Sequence, residues 1–312
     1  MTKHRLQRLL AVGAVLSVFA AACGSSATEG SGGEGSGAAT GVCATVDTNG
    51  TDLLAQICAR GEIKVSTDPA YPPQSSLNET TGEYEGFDID VATEIAKRLG
   101  VQIGWEAPAW DVITAGNWNG RWDMSVGSMT PTNERQQVLW FTDPYYFTPA
   151  VVVVGANSTV TDVATELDGK KVGVCAGCTY ESFLNKTLAI NGFTFDFVID
   201  DAQVSGYDTD TTALEDLDLG RLDAVITSVT TAQGWIDAGH PDKIIGSPVF
   251  YEPLAVAFDK GSQADPTSLL AAVNQIVADM QAAGFSYSED QVAAAQRREG
   301  TFKGVGNYVF RR

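Results

Sequence analysis

Arg135 closes the run Thr130-Pro131-Thr132-Asn133-Glu134-Arg135, and its guanidinium suits capture of a carboxylate. A planar fork of donors meets the two oxygens of a carboxylate through parallel hydrogen bonds. The plainer reading is a surface arginine at the start of a helix. Ser128 and Thr130 lie in a loop that leaves a strand, where hydroxyls and backbone groups can face a ligand. Thr179 stands just before a helix, where backbone N–H groups favour an anion. An ordinary N-cap role at Thr179 is equally natural and compatible with that one.

Other chemistries lack their residues. The sequence has two histidines, His4 and His240. No histidine-rich metal site can be built from them, and a histidine-based triad would rest on a single loop residue. No Walker loop or dinucleotide fingerprint is present, so no cofactor and no metal are expected. Asp208, Asp210, Asp216 and Asp218 lack the spacing and central glycine of a calcium loop. They read as the capped start and solvated face of a helix. A net charge of −19 argues against nucleic acid, which is bound through clustered Lys and Arg.

Short β-like runs alternate with amphipathic helices and must position these groups. Strands are expected at 62–67, 101–106, 124–126, 150–154, 171–174, 193–199 and 224–227. Helices are expected at 87–99, 110–118, from Tyr180, and at 211–219, 266–283 and 289–298. The valine run within 150–154 must be buried on both faces. Alternation of this kind argues for parallel sheets covered by helices, an α/β protein.

The N-terminal residues read as an export signal. Lys3, Arg5 and Arg8 precede an apolar run from Leu9 to Ala22, too short to span a bilayer as a mature helix. Ala20-Ala21-Ala22-Cys23-Gly24 resembles a bacterial lipobox, with Ala20 where leucine is usual, so Cys23 is the expected lipid anchor. Residues 1–22 would be the signal peptide and 23–42 a Gly- and Ser-rich tether. The protein is thereby expected on the outer face of the cell membrane. Four further cysteines allow three pairings. The locally closed pairs Cys43–Cys58 and Cys175–Cys178 are favoured, the first closing a loop of about 15 residues. Cys175-x-x-Cys178 also has redox spacing, but an oxidising compartment favours a structural bridge.

Several motifs occur together in one order: Thr67-Asp68-Pro69-Ala70-Tyr71-Pro72-Pro73, Glu85-Gly86-Phe87-Asp88-Ile89-Asp90, Trp110-Asp111, and Asp123 through Arg135. Phe141-Thr142-Asp143-Pro144-Tyr145, Leu167 through Val174, and Gly220-Arg221-Leu222-Asp223-Ala224 follow. With these motifs the chain resembles the bacterial extracellular solute-binding proteins of the polar amino-acid ABC importer class. The resemblance implies a type II periplasmic-binding-protein fold, two α/β lobes with the ligand cleft between them. Residues 43–150 and 253–312 would form one lobe, 151–252 an inserted second lobe, and the crossings would fall near 150–155 and 247–253.

The resemblance implies a monomeric binding component, not an enzyme, that delivers a small amino-acid-like ligand to membrane permease subunits. An enzyme of dehydratase type and a sensing module for a signalling partner are the competing classes. Arg135, Thr130 and Thr179 would take the ligand's carboxylate, and Ser128 would contribute with Thr130 to carboxylate and ammonium contacts. Tyr71 and Trp110 match aromatic positions that stack on the ligand, whereas Trp118, Trp122 and Trp140 are assigned to the core. Asp68 matches a position that meets the ligand side chain; a capping role in an Asp-Pro turn is its alternative. Ser228 falls where the family carries an acid for the α-ammonium, so either another acid reaches in or the ligand lacks an ordinary primary ammonium.

Overall fold

The computed structural model describes residues 41–284. The expected signal, the anchor Cys23, most of the tether, the expected helix at 289–298 and the rest of the tail lie outside them. In chain order the elements are α1 (Leu53–Arg60), β1 (Glu62–Ser66), β2 (Ala70–Tyr71), β3 (Ser75–Leu77), β4 (Tyr84–Glu85), α2 (Phe87–Leu99) and β5 (Gln102–Glu106). Next come α3 (Trp110–Thr114), β6 (Met124–Met129), β7 (Leu139–Phe141), β8 (Tyr146–Gly155), α4 (Val163–Glu166), β9 (Lys171–Cys175) and α5 (Thr179–Leu184). The last are β10 (Gln203–Tyr207), α6 (Asp210–Asp218), β11 (Ala224–Ser228), α7 (Val229–Asp237), β12 (Asp242–Asp259) and α8 (Thr267–Ala282).

Local chemistry sets several boundaries. Asp52 caps α1 by accepting from the Ala55 N–H at 3.2 Å. Gly100, at φ 86°, stops α2 in a left-handed turn that glycine adopts without a Cβ clash. The helix expected over 110–118 ends at Thr114, because Gly116 and Asn117 take positive φ of 67° and 53°. Trp118 then folds back into the core, its indole N–H donating to the Ile113 carbonyl at 2.9 Å.

Nine strands form the main sheet in the order β10-β9-β11-β8-β12-β6-β1-β5, with β7 against β12, and β2, β3 and β4 form a separate small antiparallel sheet. The outer pairs β1–β5, β1–β6, β9–β10 and β9–β11 are parallel, as the βα alternation predicts. The central pairs are antiparallel, because β8 and β12 run in opposite senses from one half of the molecule into the other. One core gathers Ile63, Val65, Ile95, Met124, Phe258 and the α8 side chains Leu269 and Val273, so the chain returns after β12 to the half it began in. The other half is built on β8. Val152 and Val154 face one cluster, with Phe183 and Ile226; Val151 and Val153 face another, with Leu214 and Val225. Both faces of the valine run are thus buried, each side chain gaining roughly 1.5–3 kcal/mol over exposure.

Two expectations are corrected. Residues 193–199 form no strand, although Phe193, Phe195 and Phe197 alternate. Their rings pack on the Phe183–Phe250 stack while β10 takes the place beside β9, so aromatic burial fixes the segment without a ladder partner. Trp140 is not a core residue. It is 48% exposed, with the Lys260 ammonium 3.9 Å from its ring centre, whereas Trp118 and Trp122 are buried. Disulfides join Cys43 to Cys58 and Cys175 to Cys178, with Cα separations of 5.3 and 5.4 Å.

Candidate functional site

A cavity lies between the halves, with about 360 Å3 of empty space that includes part of the open mouth. Asp68, Tyr71, Trp110, Ser128, Thr130 and Arg135 line it from the first half. Thr179, Tyr180 and Asp210 line it from the second, and Glu252 enters from the crossing strand β12. The halves also bond across the cavity: the Tyr71 and Tyr180 hydroxyls are 3.2 Å apart, and the Asn133 N–H donates to the Ala189 carbonyl at 2.9 Å.

Arg135 is buried at the start of a short 3-10 turn. Nη1 donates to the Thr130 carbonyl at 3.0 Å, and Nη2 crosses to the Gly177 carbonyl at 2.9 Å. Its guanidinium carbon lies 5.1 Å from the centre of the Trp110 ring, a cation–π contact. Burial lowers its pKa to about 10 against the opposing pull of Glu252, so the group stays charged at neutral pH.

Thr179 is not the N-cap of α5. Cys178 holds that place, and Thr179 is the first helical residue. Its hydroxyl donates to Glu252 Oε2 at 2.5 Å, while the Thr130 hydroxyl donates to the same oxygen at 2.6 Å. Glu252 is buried, and burial raises its pKa despite the two hydroxyls and Arg135.

Ser128 sits at φ 52°, and its hydroxyl donates to Asp88 Oδ2 at 2.8 Å. Asp88 also accepts from the Tyr145 hydroxyl at 2.7 Å, and burial pushes its pKa up to about 7. Asp68 takes the capping place in the Asp-Pro turn, accepting from the Ala70 N–H at 3.0 Å, and is also turned to the cavity, where burial raises its pKa.

Ser228 is fully buried at the end of β11 and does not line the cavity. Its Oγ accepts from the Thr231 N–H at 3.2 Å as the N-cap of α7, and it also bonds the Tyr71 hydroxyl. Six lining residues lie outside the predicted ligand-binding set: Gly127, Cys175, Cys178, Tyr180, Asp210 and Glu252. Asp210 was grouped with a solvated helix face, yet Thr209 supplies the cap and Asp210 turns inward as the first residue of α6. Burial, with the charges of Asp68 and Glu252, pushes its pKa up to about 7 against the hydrogen bond from Thr227. A lone glutamate entering the apolar run Glu252-Pro253-Leu254-Ala255-Val256-Ala257 was the available signal for Glu252.

Three carboxyl groups therefore face one guanidinium across a pocket walled by aromatic rings. Such a site favours a small organic cation, whose charge stabilises the ionised carboxyls and whose apolar part meets the rings. Among the described residues no group of three or more His, Cys, Asp or Glu is placed to hold a metal ion.

Comparison with known proteins places this geometry. Residues 63–288 match the family of bacterial extracellular solute-binding proteins, family 3. The histidine-binding periplasmic protein of Salmonella typhimurium is 32% identical over 227 residues, covering 72% of this chain and 84% of its own. The arginine-bound truncated ArgBP of T. maritima superposes with a TM-score of 0.63 at 29% identity, covering 72% of this chain and 99% of its own. The ancestral amino acid-binding protein AncCDT-1, a precursor of cyclohexadienyl dehydratase, gives 0.63 at 26% identity, covering 78% and 97%.

Proposed function

The chain belongs to the bacterial extracellular solute-binding proteins of family 3, and we propose on that footing that it is the substrate-binding component of an ABC importer. Its ligand is an amino acid or a close chemical relative of one that carries positive charge. The observation that carries this reading is Asp210, a buried carboxyl that lines the cavity with Asp68 and Glu252 against a single guanidinium. A neutral or acidic solute would leave that carboxyl uncompensated, which is costly in a buried site.

The mechanism is a population shift. In this reading residues 43–150 with 253–284 form one lobe and 151–252 the other, and the site draws side chains from both. A ligand that touches both lobes only when they are closed favours that state by its differential affinity. Handing the solute to permease subunits follows from the family role. No helix among the described residues is long and apolar enough to cross a membrane. Export by residues 1–22, lipidation at Cys23 and a tethered monomer outside the membrane complete the proposal.

The test is a thermal-shift screen over cationic amino acids and amines, neutral amino acids, betaines and dicarboxylates. Stabilisation by mass action confined to cationic solutes is the expected result; equal or greater stabilisation by neutral or acidic ones refutes the charge assignment. Incubating the bound solute and reading its NMR spectrum separates binding from turnover, because a binder returns it unchanged.

A further inference from the structure

The carboxylate end of an α-amino acid lacks a free counterpart in this site, and the acid for its ammonium does not come from position 228. The hydroxyls of Thr130 and Thr179, one from each lobe, are spent on a single oxygen of Glu252, at 2.6 and 2.5 Å. Arg135, whose charge acts on Glu252, directs a donor of each terminal nitrogen to a backbone carbonyl instead. Two hydroxyls and the charge of Arg135 thus serve a carboxylate here, and the chain supplies that carboxylate from β12 as Glu252. A second carboxylate arriving there would meet Glu252 at close range in a buried pocket, where like charges repel with little screening. At the other end Ser228 supplies no charge and is committed to capping α7.

What remains open to a ligand is cation chemistry. Asp210 lines the cavity from one lobe, Asp68 lines it from the other, and Tyr71 lines it with them. We propose that the ligand is an organic cation with no carboxylate of its own, an amine or guanidine held between Asp68 and Asp210, because Glu252 takes the carboxylate's place. The proposal rests on the solute-binding reading above and narrows its ligand class.

Matched pairs differing only in the carboxylate test it. Calorimetric titration of the exported chain compares L-arginine with agmatine and L-lysine with cadaverine. The amine of each pair is expected to bind at least tenfold more tightly. An amino acid that binds as tightly as its amine overturns the proposal and leaves the cationic reading standing. If no member of either pair binds, the cationic reading falls and the proposal with it. Glu252→Gln removes the resident charge while keeping the shape, and it should shift the amine-to-amino-acid ratio at least tenfold toward the amino acid. An unchanged ratio in a folded E252Q variant overturns the role of Glu252. If that variant does not fold, the wild-type pairs decide the question alone.

Discussion

Replacing Asp210 by Asn should raise stability and lower affinity together, and the rise should depend on pH. In the unfolded chain an aspartate titrates near 4, whereas burial and the neighbouring acids hold the folded Asp210 near 7. Folded protein therefore keeps a proton that the unfolded chain releases. The stability this contributes is fully present below about pH 4 and is lost as pH rises through about 7. The interval corresponds to roughly 4 kcal/mol against the wild type at pH 8. An asparagine amide has a desolvation cost of its own, about 1–3 kcal/mol when imperfectly bonded. The expected net gain is thus about 2 kcal/mol at pH 8 and close to none at pH 5. For a body of this size that is a Tm rise of about 4–8 °C. Cation affinity at pH 8 should fall about 10- to 100-fold, as expected when a charged hydrogen bond worth about 1.5–3 kcal/mol is removed. Scanning calorimetry at the two pH values, with a titration at the higher, checks all three. Equal Tm changes at pH 5 and pH 8, or an unchanged affinity, refute the assignment of Asp210.

Other perturbations follow from the same groups. Cation affinity should fall as pH drops below about 7, because a proton on Asp210 must leave or be tolerated; titrations in buffers of different ionisation enthalpy should reveal proton release. Arg135→Ala leaves Glu252 buried without its positive neighbour, so urea denaturation at pH 8 should show a loss of about 3 kcal/mol. That loss should shrink as pH falls, because a proton on Glu252 removes the uncompensated charge. Replacing Cys43 and Cys58 by alanine opens a cross-link of sequence separation 15 and should cost about 3 kcal/mol by denaturant midpoint. Ligand affinity should stay unchanged, since this bridge lies outside the cavity.

Local signals carried the secondary structure where pattern and punctuation agreed. The helix over Phe87–Leu99 has both an apolar stripe and the stopping Gly100, and its predicted bounds match. The aromatic segment at 193–199 had the β pattern and became no strand, because pairing depends on which chain reaches the free sheet edge, and β10 reaches it. The antiparallel centre of the sheet was equally hidden, since it follows from two crossings far apart in sequence.

The sequence by itself determined the family, the alternation of elements and one wall of the site, because Asp68, Tyr71, Trp110, Ser128, Thr130 and Arg135 lie in compact motifs. Tertiary structure alone decided the charge of the site. Asp210 lies inside the second lobe and Glu252 on its return strand, both far in sequence from those motifs, and each could equally have faced solvent. Only packing turns Asp210 inward and brings Glu252 within 2.6 Å of hydroxyls from both lobes. Burial then makes their electrostatics count, since a carboxyl counts for little in water and for much where no solvent can replace its partner.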